Sequence, residues 1–120
     1  MGILAASIRP ISLDCEYIDA QIELIKSCIL LAFPVSRIIL FGSCARKTAV
    51  SGSDIDLLVL SAQHSQLNQM RKIILTSIRN SEIPIDWIFA SEQQYNSMHN
   101  ASALLQIVQT EGITIYDAHS

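Results

Sequence analysis

The feature that most restricts this chain is a spacing. Phe41-Gly42-Ser43 is followed by ten residues and then by Asp54-Ile55-Asp56, which leads into the apolar run Leu57-Leu58-Val59-Leu60. Arg37 to Phe41 (Arg-Ile-Ile-Leu-Phe) reads as a buried strand with Gly42-Ser43 as its tight exit, and Ile55 to Leu60 reads as a second strand. Between them, Ser43 to Lys47 reads as a short helical turn and Thr48 to Ser53 as the loop that brings the chain back. If Gly42 and Asp54 are to meet after so short a return, the two strands must run antiparallel.

In a strand, residues i and i+2 point to the same side, so Asp54 and Asp56 share a face while Ile55 and Leu57 turn into the core. Two carboxylates that close repel each other unless a cation sits between them. Hard divalent cations such as Mg²⁺ prefer oxygen ligands and keep positions open for substrate phosphates. A Gly-Ser turn facing an acidic pair is therefore what the handling of a metal-bound nucleoside triphosphate requires, and an enzyme is the first expectation.

The rest of the chain supplies helices for both strands. Asp14 can cap a helix in which Ile18, Ile22, Ile25 and Ile29 recur at helical spacing, with Pro34 marking its end. Gln66 to Asn80 is amphipathic, with Leu67, Met70, Ile74 and Ile78 on one side. Ile83 to Ala90 reads as a third strand with Asp86 buried in its middle. Ser91 with Gln94 forms a capping box for a short helix, Asn100 to Thr110 reads as another that stops at Gly112, and Ile113 to Tyr116 as a brief extended end. Helices alternating with strands imply a layered α/β domain, with a mixed sheet because the first two strands are antiparallel.

Composition narrows the function. At 120 residues, residues 1–120 form one domain. Half of the residues are apolar and the net charge is −3 without a basic stripe, which argues against binding a polynucleotide backbone. Cys15, Cys28 and Cys44 are odd in number and lack metal-ligand spacing, which fits a reducing cytosol. Met1 to Ile11 has no basic leader, and no apolar run is long enough to span a bilayer, so a cytoplasmic protein away from membranes is expected. His64, His99 and His119 read as surface residues, Trp87 as core, and Tyr95 as a weak candidate for base stacking that could equally be exposed. Cys44 reads as a small filler beside the turn. Arg46 and Lys47 could contact phosphate and are equally explained as solvated charges.

Asp86 is the third acid, and an unpaired carboxylate within Ile-Pro-Ile-Asp-Trp-Ile-Phe calls for a cation nearby. With Gly42-Ser43, Asp54-Ile55-Asp56 and Asp86 together, the chain resembles the nucleotidyltransferase superfamily of DNA polymerase β type. It is most similar there to the minimal nucleotidyltransferases, the MNT proteins, which are often paired with HEPN-domain partners in toxin–antitoxin systems. Ala45-Arg46 fits the family's Gly-Ser-x-Ala-Arg run, and Glu111-Gly112 with Tyr116 resembles its tail. Cys44 stands where a basic residue is common, and Lys47 where a glycine is common.

The resemblance implies a palm-like α/β (α+β) fold with a small mixed sheet flanked by helices. It implies transfer of a nucleoside monophosphate, most simply AMP from ATP, to an acceptor hydroxyl. Asp54, Asp56 and Asp86 would hold two Mg²⁺ ions and serve catalysis, with Asp86 on the acceptor side taking or relaying its proton, and Gly42-Ser43 would cradle the nucleotide's phosphates. So small a chain leaves the acceptor surface to a partner. A HEPN-type toxin modified on a hydroxyl is the leading expectation, in a homodimer or hetero-oligomer. The alternatives are an antitoxin that neutralises by binding alone, and transfer to a small molecule as in aminoglycoside-modifying relatives.

Overall fold

The computed structural model describes residues 15–46, 54–79, 81–98, 108 and 110–119. Helix α1 (Cys15–Ala32) leads into strand β1 (Arg37–Phe41), a single helical turn α2 (Gly42–Ala45) and strand β2 (Ile55–Ser61). A 3-10 turn (His64–Gln66) then opens helix α3 (Leu67–Ser77). Strand β3 (Ile85–Ser91), helix α4 (Glu92–Met98) and strand β4 (Ile113–Asp117) complete the described elements. The strands form one four-stranded sheet in the order β3-β2-β1-β4. β1 is antiparallel to both β2 and β4, and β2 is parallel to β3, so the sheet is mixed, as the short return after Gly42 requires.

Strand alternation divides the core in two. Ile38 and Leu40 of β1 and Ile55, Leu57 and Val59 of β2 point to one side, where they pack with Ile18, Ile22, Ile25 and Ile29 of α1 and Met70 and Ile74 of α3. Ile39 and Phe41, with Leu58 and Leu60, point to the other side and pack with Ala90, Tyr95 and Val108. Both faces of the central strands are thus covered, which explains why β1 and β2 read as unbroken apolar runs rather than as alternating ones. At roughly 25 cal/mol per Å² of apolar surface removed from water, this two-sided burial is the main stabilising term.

Element ends follow local chemistry. α3 stops three residues before Asn80, because Ile78 leaves helical geometry (φ −117°, ψ 88°) while its N–H still donates to Ile74 at 2.9 Å. β3 begins two residues after Ile83, because Pro84 has no N–H to give a ladder. The Pro84 carbonyl still accepts the Ile55 N–H at 2.9 Å, which sets β3 against β2. The capping box forms: the Ser91 N–H donates to Oε1 of Gln94 at 3.0 Å and the Gln94 N–H to Oγ of Ser91 at 3.1 Å. Among the described residues no helix is long and apolar enough to cross a membrane. The Asp14 cap, the Thr48 to Ser53 return, and the helix expected over Asn100 to Thr110, except at Val108 and Thr110, lie outside the described residues.

Three expectations change. Asp86 is not buried in the middle of a strand: it is exposed, at the second position of β3, where the sheet ends. Tyr95 is not an exposed stacking platform. It is buried, 7% exposed, with the Arg37 guanidinium 5.0 Å from its ring centre. Trp87 does join the core face, but only half-buried, and stacks on Phe89 two residues on at a ring separation of 5.5 Å.

Candidate active site

The site is assembled by register. Asp56 is the partner of Phe41 across β1 and of Asp86 across β3, so the three stand in one row at the end of the sheet. Partners in register share a face, which puts the Asp56 and Asp86 side chains on the same side as the Ile39, Leu58 and Tyr95 core. Asp54, two residues before Asp56, belongs to that side as well. Ile55 and Leu57, both essentially buried, anchor the opposite side. The Asp-Ile-Asp sequence therefore mounts its acids on a strand whose alternate residues are fixed in the core.

Gly42 follows Phe41 directly, with a φ of +75° that turns the chain into α2. A Cβ built on it would overlap the Asp56 carboxylate, lying 3.0 Å from Cγ and closer still to Oδ2. The glycine is thus required by a group of the protein itself: the turn folds flat against the Asp56 carboxylate. Ser43 is half-buried at this turn. Cys44, buried behind it, donates its thiol to the Asp54 carbonyl at 3.6 Å, tying the turn to the entry of β2.

The electrostatics show an acidic cluster under strain. The Asp56 carboxyl is pushed above its ordinary range, first by burial, then by the charge and hydrogen bonding of Asp86, and further by Asp54, while the Arg46 guanidinium opposes the shift. Burial, and then the charges of Asp56 and Asp54, push the Cys44 thiol up, which favours its neutral form. Arg46, half-exposed after α2, donates from Nη1 to Oε1 of Glu111 at 2.7 Å. Its neighbour Lys47 lies outside the described residues. Nothing in the local sequence signals this pairing, since 65 residues separate the partners.

The structure sets Asp86 beside Asp56 in register, with Asp54 two residues before it, and the charges of both help to push the Asp56 carboxyl up. Among the described residues no three His, Cys, Asp or Glu side chains are gathered into a group that could hold a metal ion, so the three acids do not form a closed cage. The donor set nevertheless fits a hard cation. It consists of three carboxylates, two of them on exposed residues, and the repulsion of Asp56 by the other two is what a divalent ion would relieve. His64 and His119 are exposed elsewhere, and His99 lies outside the described residues.

The fold has counterparts among known structures. The fold is similar to that of a candidate nucleotidyltransferase from Sulfolobus solfataricus, with a TM-score of 0.55 and 19% identity over 86% of this chain and 88% of that one. It is also similar to a chain of a toxin–antitoxin complex with AMP-PNP (TM-score 0.51, 24% identity, 82% of this chain and 73% of that one). A mutant of the toxin–antitoxin complex MntA-HpeT gives a TM-score of 0.51 at 21% identity, over 82% of this chain and 73% of that one. At these identities the likeness carries the fold. No curated protein matches the chain in sequence. The family profile for the nucleotidyltransferase domain matches residues 22–106, which take in β1, the Gly42-Ser43 turn, Asp54, Asp56 and Asp86. By that match, over well more than half its length, the chain belongs to the nucleotidyltransferase domain family.

Proposed function

We propose that this protein transfers AMP from ATP to a hydroxyl of a partner protein, with pyrophosphate leaving, and that the partner is a HEPN-type toxin neutralised by the modification. One observation carries the reading: Asp56 stands in register with Asp86 on one side and has the Gly42 turn folded against it on the other. A glycine turn and two carboxylates gathered at one end of the sheet support a site for a metal-bound nucleotide. Asp54, Asp56 and Asp86 would hold Mg²⁺. When bound, two such ions supply positive charge at the attacking and departing oxygens of an in-line displacement.

The chain's own residues divide the remaining work. Backbone N–H groups at Gly42 and Ser43 orient the β- and γ-phosphates beside Asp56. Asp86, exposed at the end of β3, receives the acceptor hydroxyl and takes its proton. Its exposure supports an acceptor carried on another macromolecule, because a protein-borne hydroxyl reaches an open carboxylate more readily than an enclosed one. The similarity of fold to chains of toxin–antitoxin complexes, one of them holding an ATP analogue, supports both the partner and the nucleotide.

The test is transfer of label. The protein is incubated with ATP labelled at the α-phosphate, Mg²⁺ and the product of the adjacent gene. Label should appear on the partner, and should vanish with a chelator and in Asp56→Asn. If label never reaches the partner, yet the partner is still neutralised and Asp56→Asn changes nothing, neutralisation is by binding and the enzymatic reading fails.

A further inference from the structure

Arg46 closes the turn that carries Gly42, its N–H donating to the Gly42 carbonyl at 3.1 Å. Its guanidinium bonds to Glu111 at 2.7 Å, and the two side chains are 49% and 38% exposed. An ion pair so exposed adds little to stability, because solvent screens it and two long side chains must be ordered to make it. What it fixes is position. Glu111 sits on a rigid mount: the next residue, Gly112, donates its N–H to the Val108 carbonyl at 2.7 Å and lies so close to β1 that a Cβ there would stand 2.7 Å from Cγ2 of Ile39. The chain then enters β4, paired to β1. A carboxylate on a fixed backbone therefore holds a guanidinium whose residue closes the very turn that packs against Asp56.

We infer that Glu111 is a positioning residue for the transfer reaction, aiming the Arg46 guanidinium at the phosphate side of the carboxylate site. The inference rests on the nucleotidyltransferase reading above. A free arginine side chain samples many rotamers, whereas one held by an N–H bond to a fixed carboxylate presents the rest of its planar fork in one orientation. Anions such as the phosphates of a nucleotide are bound by that fork. Glu111 repels phosphate itself, so it can act only through Arg46.

The full chain is titrated with a fluorescent ATP analogue and Mg²⁺ as wild type, Glu111→Ala, Glu111→Gln, Arg46→Gln and the double variant Glu111→Ala/Arg46→Gln, with a thermal melt of each. Glu111→Ala should weaken nucleotide binding roughly threefold to tenfold, and Arg46→Gln roughly tenfold or more. The double variant should bind no more weakly than Arg46→Gln alone, because the two residues act as one unit. Glu111→Gln, which keeps an acceptor oxygen, should fall between wild type and Glu111→Ala. In the transfer assay KM for Mg·ATP should rise by more than kcat falls.

Wild-type affinity in Glu111→Ala, or losses that multiply in the double variant, overturns the inference. A purely structural Glu111 would lower the melting temperature and leave the affinity of the folded protein unchanged, which also overturns it. If the wild type binds no Mg·nucleotide, the proposed function falls and this inference with it. Wild-type binding with an indifferent Glu111→Ala removes this inference alone.

Discussion

Gly42 leaves the space that the Asp56 carboxylate fills. A Cβ at position 42 would overlap Oδ2 of Asp56, and the φ of +75° there is one that residues with a side chain adopt only at a cost. Gly42→Ala must therefore either push Asp56 away or unwind the turn. The expected result is a loss of roughly a hundredfold or more in transfer, because a misplaced carboxylate costs far more in rate than in stability. The folded state should lose only about 1–3 kcal/mol in urea unfolding. Retention of more than about a tenth of the activity would mean that the turn can yield without moving Asp56.

Asp56 should oppose folding when no cation is bound. Its folded pKa lies above the ordinary carboxylate value because of burial and then Asp86, so between the two values the folded state binds more protons than the unfolded one. Stability is therefore lost as pH rises through the folded pKa. Asp56→Asn is expected to melt higher than wild type at neutral pH in a chelator, with the gap closing as pH falls toward the ordinary carboxylate range. It should abolish transfer at every pH. A variant that melts no higher than wild type at neutral pH would show that the repulsion from Asp86 and Asp54 does not act on the folded state.

Much of this site could be read from the sequence because its central part is local. Asp54, Ile55, Asp56 and Leu57 alternate along one strand, and a strand's period of two leaves no freedom over which of them face together. The short return from Gly42 forces the antiparallel pairing of β1 with β2 by chain length alone. Asp86 misleads as to burial: its apolar neighbours suggest a buried carboxylate, whereas its place at the second position of β3 leaves it exposed. Tyr95 misled in the opposite sense, since its burial depends on Arg37, Ile39 and Leu58, which lie far away in sequence. The Arg46–Glu111 pair has no local signature at all.

Asp86 and the Asp54–Asp56 pair should separate kinetically. Asp86 stands at the exposed end of β3, on the side proposed for the acceptor, whereas Asp56 lies against the Gly42 turn. Asp86→Asn is expected to bind Mg·ATP within about fivefold of wild type while losing roughly a hundredfold or more in kcat, as removal of a general base does. Asp54→Asn should impair nucleotide binding as well. Equilibrium binding measured beside single-turnover transfer decides this, and a large loss of nucleotide affinity in Asp86→Asn would move that residue to the triphosphate side.

The far end of the same strand supplies a control. Arg37 pairs with Leu60 in the register that places Phe41 against Asp56, so it opens β1 while the site closes it. There Glu92 accepts from Arg37 Nε at 2.8 Å, from Arg37 Nη2 at 2.7 Å and from the Ser36 hydroxyl at 2.8 Å. These bonds, led by that from Arg37, hold the Glu92 carboxyl below its ordinary value of 4.5. A depressed folded pKa stabilises the protein above the unfolded value, and the contribution is lost as pH falls below about 4.5 and through the folded pKa. Arg37→Ala leaves Glu92 half-satisfied beside the buried Tyr95 and should cost about 1–2 kcal/mol at neutral pH, allowing for partial solvent screening. The deficit should shrink in melts taken from pH 5 toward pH 3, as wild type loses the same interaction by protonation. Transfer should stay within about twofold of wild type, because the pair acts on α4 and the start of β1 rather than on the carboxylate row. A deficit that persists unchanged into acid would mean that Arg37 stabilises through its contact with the Tyr95 ring instead of through Glu92.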